Sequence, residues 1–225
     1  MQKNIVISIG GSVLLSDDIK IPYFKEFKEF IDEYSKKYNI FLVVGGGKTA
    51  RTYIKLGRKL NFSEETLDLF GIDITRINAK ILTNLFDNSN EKIPISTDEA
   101  KIMKKPVVVM GGTVPGHSTD MVGAELANKV NAEKFIIATN VDGIYDKDPN
   151  KNKDAKKYDE ILIDDLINKY GTSWESAGKN MVIDGPALKI IKDNKIKTFV
   201  LNGKKISEIK KVINDKKING TIIKN

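Results

Sequence analysis

Short apolar runs recur along the chain, each closed by glycine or by a polar turn. They predict strands at about Ile5 to Ile9, Ile40 to Val44, Val107 to Met110, Phe135 to Thr139, Thr198 to Leu201 and Thr221 to Ile223. A shorter run, Ile93-Pro94-Ile95, is expected to be another strand. Between the runs the apolar spacing changes to that of a helix. Pro22 opens one such segment, with Phe24, Phe27, Ile31, Tyr34 and Tyr38 on one face. Helices are also predicted from Thr49 to Leu60, from Asp98, from Leu162 to Lys169 and from Asp184 to Asp193, with a short one before the last strand. Ser63 reads as an N-cap with Glu64 and Glu65 behind it, opening a helix with Leu67, Phe70, Ile74, Ile77, Ile81 and Leu85 on its inner face. Thr119 or Asp120 is expected to cap a further helix that turns Ala124, Ala127 and Val130 inward. Strands alternating with helices imply an α/β fold with a mostly parallel central sheet and helices on both faces. No linker-like segment divides the chain, so one globular unit is expected.

Three of the strands end in glycines: Gly10-Gly11-Ser12, Gly45-Gly46-Gly47-Lys48 and Gly111-Gly112-Thr113. Glycine there serves either tight strand-to-helix packing or close approach to a ligand. In open α/β sheets ligands gather at the carboxyl ends of the strands. Lys48 and Arg51 add cations to the start of the helix after the second loop, where the backbone already attracts anions. The third loop, Gly111 to Asp120, is dense in hydroxyls and glycines. The expectation is one site for a large phosphate-bearing ligand, or for two.

Composition narrows the chemistry. The 225 residues include no cysteine and one histidine, His117. Disulfides, thiolate metal sites, cysteine nucleophiles and histidine-based metal clusters are therefore excluded. The start, Met1-Gln2-Lys3-Asn4, has no signal-like apolar region, and no run approaches the ~18 apolar residues of a membrane span. A cytoplasmic protein without a membrane partner is expected. The triplets Asn61-Phe62-Ser63 and Asn219-Gly220-Thr221 then carry no glycosylation meaning. The net charge of +7 is spread over solvated helix faces and the lysine-rich end of the chain. Aromatic and basic residues are not interleaved as in an RNA-binding sheet, so no nucleic acid polymer is expected as a partner.

Known motifs were weighed against these loops. Gly47-Lys48-Thr49 lacks the earlier glycine of a P-loop, since Leu42 occupies that position. Neither of the first two loops matches the dinucleotide fingerprint. Asp146-Lys147-Asp148-Pro149-Asn150 starts like a calcium loop, but Lys151 and Lys157 stand where glycine and glutamate are needed. His117 is either a loop residue with one hydrogen bond or a substrate contact. Asp120 is either a helix cap or an acid that orients basic groups or magnesium near phosphate. Trp174 reads as core or lid packing.

Taken in order, the blocks Ile9-Gly10-Gly11-Ser12, Val44-Gly45-Gly46-Gly47-Lys48, Asp120, and Thr139-Asn140-Val141-Asp142-Gly143-Ile144-Tyr145 running to Asp148-Pro149 resemble the amino-acid kinase family. The last block is the most specific, and the resemblance spans nearly the whole chain. Gly46-Gly47-Lys48 with Ala50-Arg51, the helix segment Gly71 to Arg76, and Gly112 to Asp120 are most similar to the archaeal-type members that phosphorylate UMP. The resemblance implies a three-layer α/β/α sandwich, with an acceptor side over about residues 1–131 and an ATP side over about 132–225. It further implies ATP and UMP as substrates, Mg2+ brought with ATP, and a homo-hexamer built from dimers.

Residue roles follow from the same resemblance. Gly10, Gly11 and Ser12 would touch the transferring phosphates of ATP. Gly47 and Arg51 would line the nucleotide phosphates, and Thr139, Asn140, Tyr145 and Asp148 would bind the adenosine part. Gly46 would hold UMP, Asp68 would contact its ribose or base, and Thr113, Val114, Pro115, Gly116, His117, Ser118 and Thr119 would wrap it. Lys48, Arg51 and Asp120 are the catalytic candidates. Many family members carry a lysine where this chain has Ser8, two residues before Gly10. A serine does not neutralise a transferring phosphoryl group, so Lys48, Arg51, magnesium or backbone amides must compensate. Two other readings stand beside this one. Isopentenyl phosphate kinase shares the fold, but its usual histidine on the helix after the second glycine loop is absent from this chain between Lys48 and Leu60. A non-catalytic nucleotide-binding regulator would explain Ser8 as lost catalysis.

Overall fold

The computed structural model describes residues 2–15, 21–173 and 182–225. Trp174 and Gly178 lie outside them. In the described residues the chain order is β1 (Lys3–Ile9), α1 (Gly11–Leu14), α2 (Ile21–Tyr34), β2 (Tyr38–Val44), α3 (Gly47–Lys59), α4 (Glu64–Leu85), α5 (Thr97–Ile102), β3 (Val107–Met110), α6 (Thr119–Lys129), β4 (Lys134–Thr139), β5 (Glu160–Leu162), α7 (Ile163–Tyr170), α8 (Gly185–Asp193), β6 (Thr198–Asn202), α9 (Ile206–Ile213) and β7 (Gly220–Lys224). The strands form one seven-stranded sheet in the order β3-β2-β1-β4-β6-β7-β5. Every neighbouring pair is parallel except β6 with β7.

The strand residues alternate between two apolar layers, which is why the runs are continuous in sequence. Ile5, Ile7 and Ile9 of β1 face one side with Phe27, Phe30 and Ile31 of α2, Leu82 of α4, and Ile209 and Val212 of α9. Val6, Val43, Val108 and Ile137 face the other side, against Leu126 and Ala127 of α6 and Leu188 and Ile191 of α8. The result is a helix–sheet–helix sandwich. β1 has β2 on one side and β4 on the other, so chain order reverses there and opens a crevice at the carboxyl ends of the strands.

Several predicted details differ. Tyr38 is not on the inner face of α2: the helix ends at Tyr34, and Tyr38 pairs with Lys3 at the start of β2. Ile93 to Ile95 forms no strand; the bridge to β3 is made by Ser89 instead. The short β5 was missed because it has only three residues and no alternating pattern. α6 is capped by Ser118, whose hydroxyl accepts the Met121 N–H at 2.9 Å, rather than by Thr119 or Asp120. The inner face of α4 is also misassigned. Ile77 and Ile81 are 57% and 43% exposed, while Ile72, Thr75, Asn78, Ala79 and Leu82 are buried with Leu67. Apolar spacing was a poor guide because two polar side chains on this helix are needed inside.

Candidate active site

Those two polar side chains hold the glycine loops. The Asn78 amide donates to the Gly45 carbonyl at 2.9 Å. Thr75 Oγ1 accepts the Gly112 N–H at 2.7 Å. Beside them, the Arg76 guanidinium donates to the carbonyls of Gly112 at 3.2 Å and Thr113 at 2.9 Å. One turn of α4 therefore anchors the second and third loops together. The first and second loops are locked by contact. A Cβ on Gly11 would stand 2.4 Å from both the Gly45 carbonyl oxygen and the Gly47 nitrogen, and Gly47 itself takes φ +65°. Glycine is required at both positions for steric reasons, not only for ligand access.

The loops enclose a cleft of about 1440 Å³, open mouth included, over the ends of β1, β2 and β4. Gly10, Gly11 and Ser12 form one wall; Gly45, Gly46, Gly47 and Arg51 form the next. Asp68, Gly112, Val114, His117, Ser118, Thr119 and Asp120 line one end, and Thr139 and Asn140 the other. A second cavity, of about 910 Å³ with its open mouth included, holds Tyr145 and Asp148 and shares Thr139, Asn140 and Val182 with the first. The two adjoin at these three residues, a trough in two parts. α3, α6 and α8 all begin at the cleft, with Gly47, Thr119 and Gly185 among its lining residues. Their first N–H groups and dipoles favour anions there.

The candidate side chains are placed unevenly. Arg51 lines the cleft and donates to Ser12 Oγ at 3.0 Å, tying the second loop to the first. Asp68 accepts the Gly116 N–H at 2.6 Å, where Gly116 takes φ +79°, so it also pins the third loop. Lys48 is exposed on the first turn of α3 and is not among the lining residues. Thr113, Pro115 and Gly116 belong to the third loop but are not among the residues that line the cleft. Asp148 turns its carboxylate back to the Asn150 N–H at 2.9 Å and so holds its own loop.

Ser8 is 2% exposed and donates to Asp120 Oδ1 at 2.7 Å. Burial and the charge of Asp184 push the Asp120 carboxyl up to about 7, against the Ser8 hydrogen bond, which pulls it down. Asp184 was missed as a site residue because it reads as a simple helix cap. It does cap α8, accepting the Ala187 N–H at 2.8 Å, but it also lines the cleft. Burial raises its pKa, opposed by hydrogen bonds from Ser118 and the Ala187 N–H and by the proximity of His117. Among the described residues, the buried side-chain polar atoms without a partner are Thr113 Oγ1, His117 Nδ1 and Asp184 Oδ2. All belong to the third loop or the adjoining α8 cap. Leaving such a group unpaired costs about 1–3 kcal/mol; His117 and Asp184 line the cleft, where a polar ligand can reach them, and Thr113 does not.

Comparison with known proteins follows the same lines. Residues 3–202 match the sequence profile of the amino acid kinase family. The uridylate kinase of Archaeoglobus fulgidus is 45% identical over 88% of this chain and 90% of its own. That of Methanocaldococcus jannaschii is 44% identical over 97% of this chain and 98% of its own. The crystal structure of the Archaeoglobus fulgidus enzyme superposes with a TM-score of 0.85 at 41% identity, covering 99% of this chain and 100% of that one. UMP kinase from Ureaplasma parvum superposes with a TM-score of 0.77 at 26% identity, each chain being covered in full. With its loops, sheet order and sequence all in agreement, the chain belongs to the amino acid kinase family.

Proposed function

We propose that this chain transfers the γ-phosphoryl group of ATP to the phosphate of UMP, giving ADP and UDP. The observation that carries the reading is the trough itself, in which three glycine loops, three helix starts and Arg51 converge between two binding ends. Relatives of this length and identity are uridylate kinases, which supports UMP as acceptor. The ATP end falls to Thr139, Asn140, Tyr145 and Asp148 in the half after about residue 132. The UMP end falls to Asp68 and the loop Thr113 to Thr119.

The reaction brings two polyanions together in line, so positioning and charge neutralisation dominate. Gly11 and Gly47 present backbone N–H groups to the phosphates, Arg51 adds a cation between donor and acceptor, and the Gly10 N–H is held by the Ala138 carbonyl at 2.9 Å. Asp68 and Arg76 hold the third loop in shape for the acceptor. The acceptor phosphate is already anionic near neutral pH, so no strong general base is needed. Magnesium accompanies ATP in this reading, and the residues fit it: Asp120 and Asp184 line the cleft, and Asp184 Oδ2 is buried and unpaired. When bound, the ion screens the charge that builds on the transferring group.

The chain would work as a homo-oligomer, a hexamer by its resemblance; exposed Leu69, Ile77 and Ile81 on α4 support a covered face there. The deciding assay offers UMP, CMP, carbamate, glutamate and isopentenyl phosphate with Mg-ATP and follows ADP release. UMP should be the preferred acceptor; equal or better turnover with another would overturn the assignment.

A further inference from the structure

Thr221, the last residue of the triplet Asn219-Gly220-Thr221, sits on β7 and is fully buried. Its hydroxyl accepts the Ile144 N–H at 2.9 Å and donates to the Tyr158 carbonyl at 2.5 Å. Those two groups are the roots of one loop. Ile144 opens it, Tyr158 closes it, and the Tyr158 N–H returns to the Ile144 carbonyl at 2.9 Å. Tyr145 and Lys157 pair as an antiparallel bridge just inside. Beyond that bridge, Tyr145 to Asn150 line the second cavity. One hydroxyl of the sheet therefore holds both ends of the stretch that walls this cavity. Gly143 makes the contact possible, because a Cβ there would stand 2.5 Å from Thr221 Oγ1. Ile144 is buried, so its N–H has no water to turn to once the hydroxyl is gone. Other bonds act farther out. The Asp146 carboxylate accepts the Lys156 N–H at 2.8 Å, and Lys169 of α7 donates to the Asp146 carbonyl at 2.7 Å. Both are exposed, where water can take their place.

We propose that Thr221 is a positioning residue for the nucleotide that donates the phosphoryl group: through Ile144 and Tyr158 it sets Tyr145 to Asn150 in place for the far end of ATP. The inference rests on the reading of the second cavity as the ATP end, and goes further in naming what holds that cavity's wall to the sheet. The third loop, assigned to the acceptor, is held from α4 instead, by Thr75, Arg76 and Asp68. The two substrates are therefore expected to respond separately to a change at Thr221.

The test is a split between Michaelis constants. Thr221→Val keeps the shape and removes the hydroxyl. The KM for ATP should rise about tenfold, the loss of one buried hydrogen bond expressed as a binding ratio, while the KM for UMP and kcat stay close to those of the unaltered chain. Thr221→Ser keeps the hydroxyl and should restore the ATP constant. A loss of stability alone would lower the active fraction, and so kcat, with both Michaelis constants unchanged. Circular dichroism identifies folded variants. Hydrogen exchange of the Ile144 amide is read on the unaltered chain, so the test stands whether or not the valine variant folds. Slow exchange is expected, and exchange as fast as that of an exposed amide overturns the proposal. So does a folded Thr221→Val with an unchanged ATP constant, or with both constants raised equally. Binding of a non-hydrolysable ATP analogue without UMP separates this proposal from the assigned reaction. Analogue binding that weakens in Thr221→Val, in a chain that does not turn over UMP, supports this proposal and overturns the acceptor. UMP turnover with an ATP constant insensitive to Thr221→Val sinks this proposal alone.

Discussion

Thr75 Oγ1 accepts the N–H of Gly112 at 2.7 Å while donating to the Ile72 carbonyl at 2.6 Å, so a helix hydroxyl carries the start of the third glycine loop. Both groups are buried. Thr75→Val keeps the shape and removes the acceptor, leaving a buried N–H unpaired. A loss of about 1–3 kcal/mol is expected in urea unfolding. The Michaelis constant for UMP should rise more than that for ATP if the loop holds the acceptor, as proposed. An unchanged unfolding midpoint would remove Thr75 from this role.

Arg51 lines the cleft and joins the first two loops through its charged side chain. Arg51→Ala should lower turnover on the order of 10²-fold, the loss typical of removing one donor aimed at developing charge. Arg51→Lys should recover part of it, since a point charge remains but the fork is lost. Steady-state kinetics with Mg-ATP and UMP check both. Lys48→Ala should have the smaller effect, because Lys48 is exposed outside the lining.

Gly11→Ala tests the contact between the first and second loops. Its methyl would meet backbone atoms of Gly45 and Gly47 at 2.4 Å, and backbone does not yield as a flexible side chain does. A destabilisation of about 1–3 kcal/mol or more is expected. By contrast, Gly71→Ala meets only Ile54 Cδ1 at 3.7 Å and should stay close to the unaltered melting temperature.

Asp142, which follows Val141 of the second cavity's lining, accepts from Lys205 at 2.8 Å and Asn202 at 2.9 Å. Lys205 holds its carboxyl below the usual range. A folded pKa below the unfolded value adds stability that is complete above about pH 4 and fades as pH falls through the folded pKa. Side-chain exposures of 30% for Asp142 and 46% for Lys205 leave much of the pair in water, so the contribution is about 0.5 kcal/mol. Asp142→Asn should therefore cost about that much at pH 7 and progressively less below pH 4, measured as the difference in urea midpoint.

The inner face of α4 shows where sequence pattern stops being informative. Leu67, Phe70 and Ile74 repeat at helical spacing and continue to Ile77 and Ile81, yet the helix buries Thr75 and Asn78 instead. Both polar residues are satisfied by backbone groups of loops far away in sequence, so no local signal marks them. Asp184 was hidden for a similar reason. Its local environment explains it fully as a cap, and only the packing of α8 beside α6 brings it to Asp120. Asp120 and Arg51, in contrast, were legible as cleft residues, because each follows a glycine loop within the first two turns of a helix.

What the amino-acid order determined by itself was the alternation of buried strands and amphipathic helices, and the glycine endings that place backbone N–H groups at the strand ends. Those follow from local sterics and side-chain periodicity, which each segment carries within itself. What only the tertiary structure decided was which loops meet, that one turn of α4 holds two of them, and that two carboxylates face one cleft. These depend on crossovers around β1 and on backbone groups seeking partners across the chain, and no short window of sequence contains both members of such a pair.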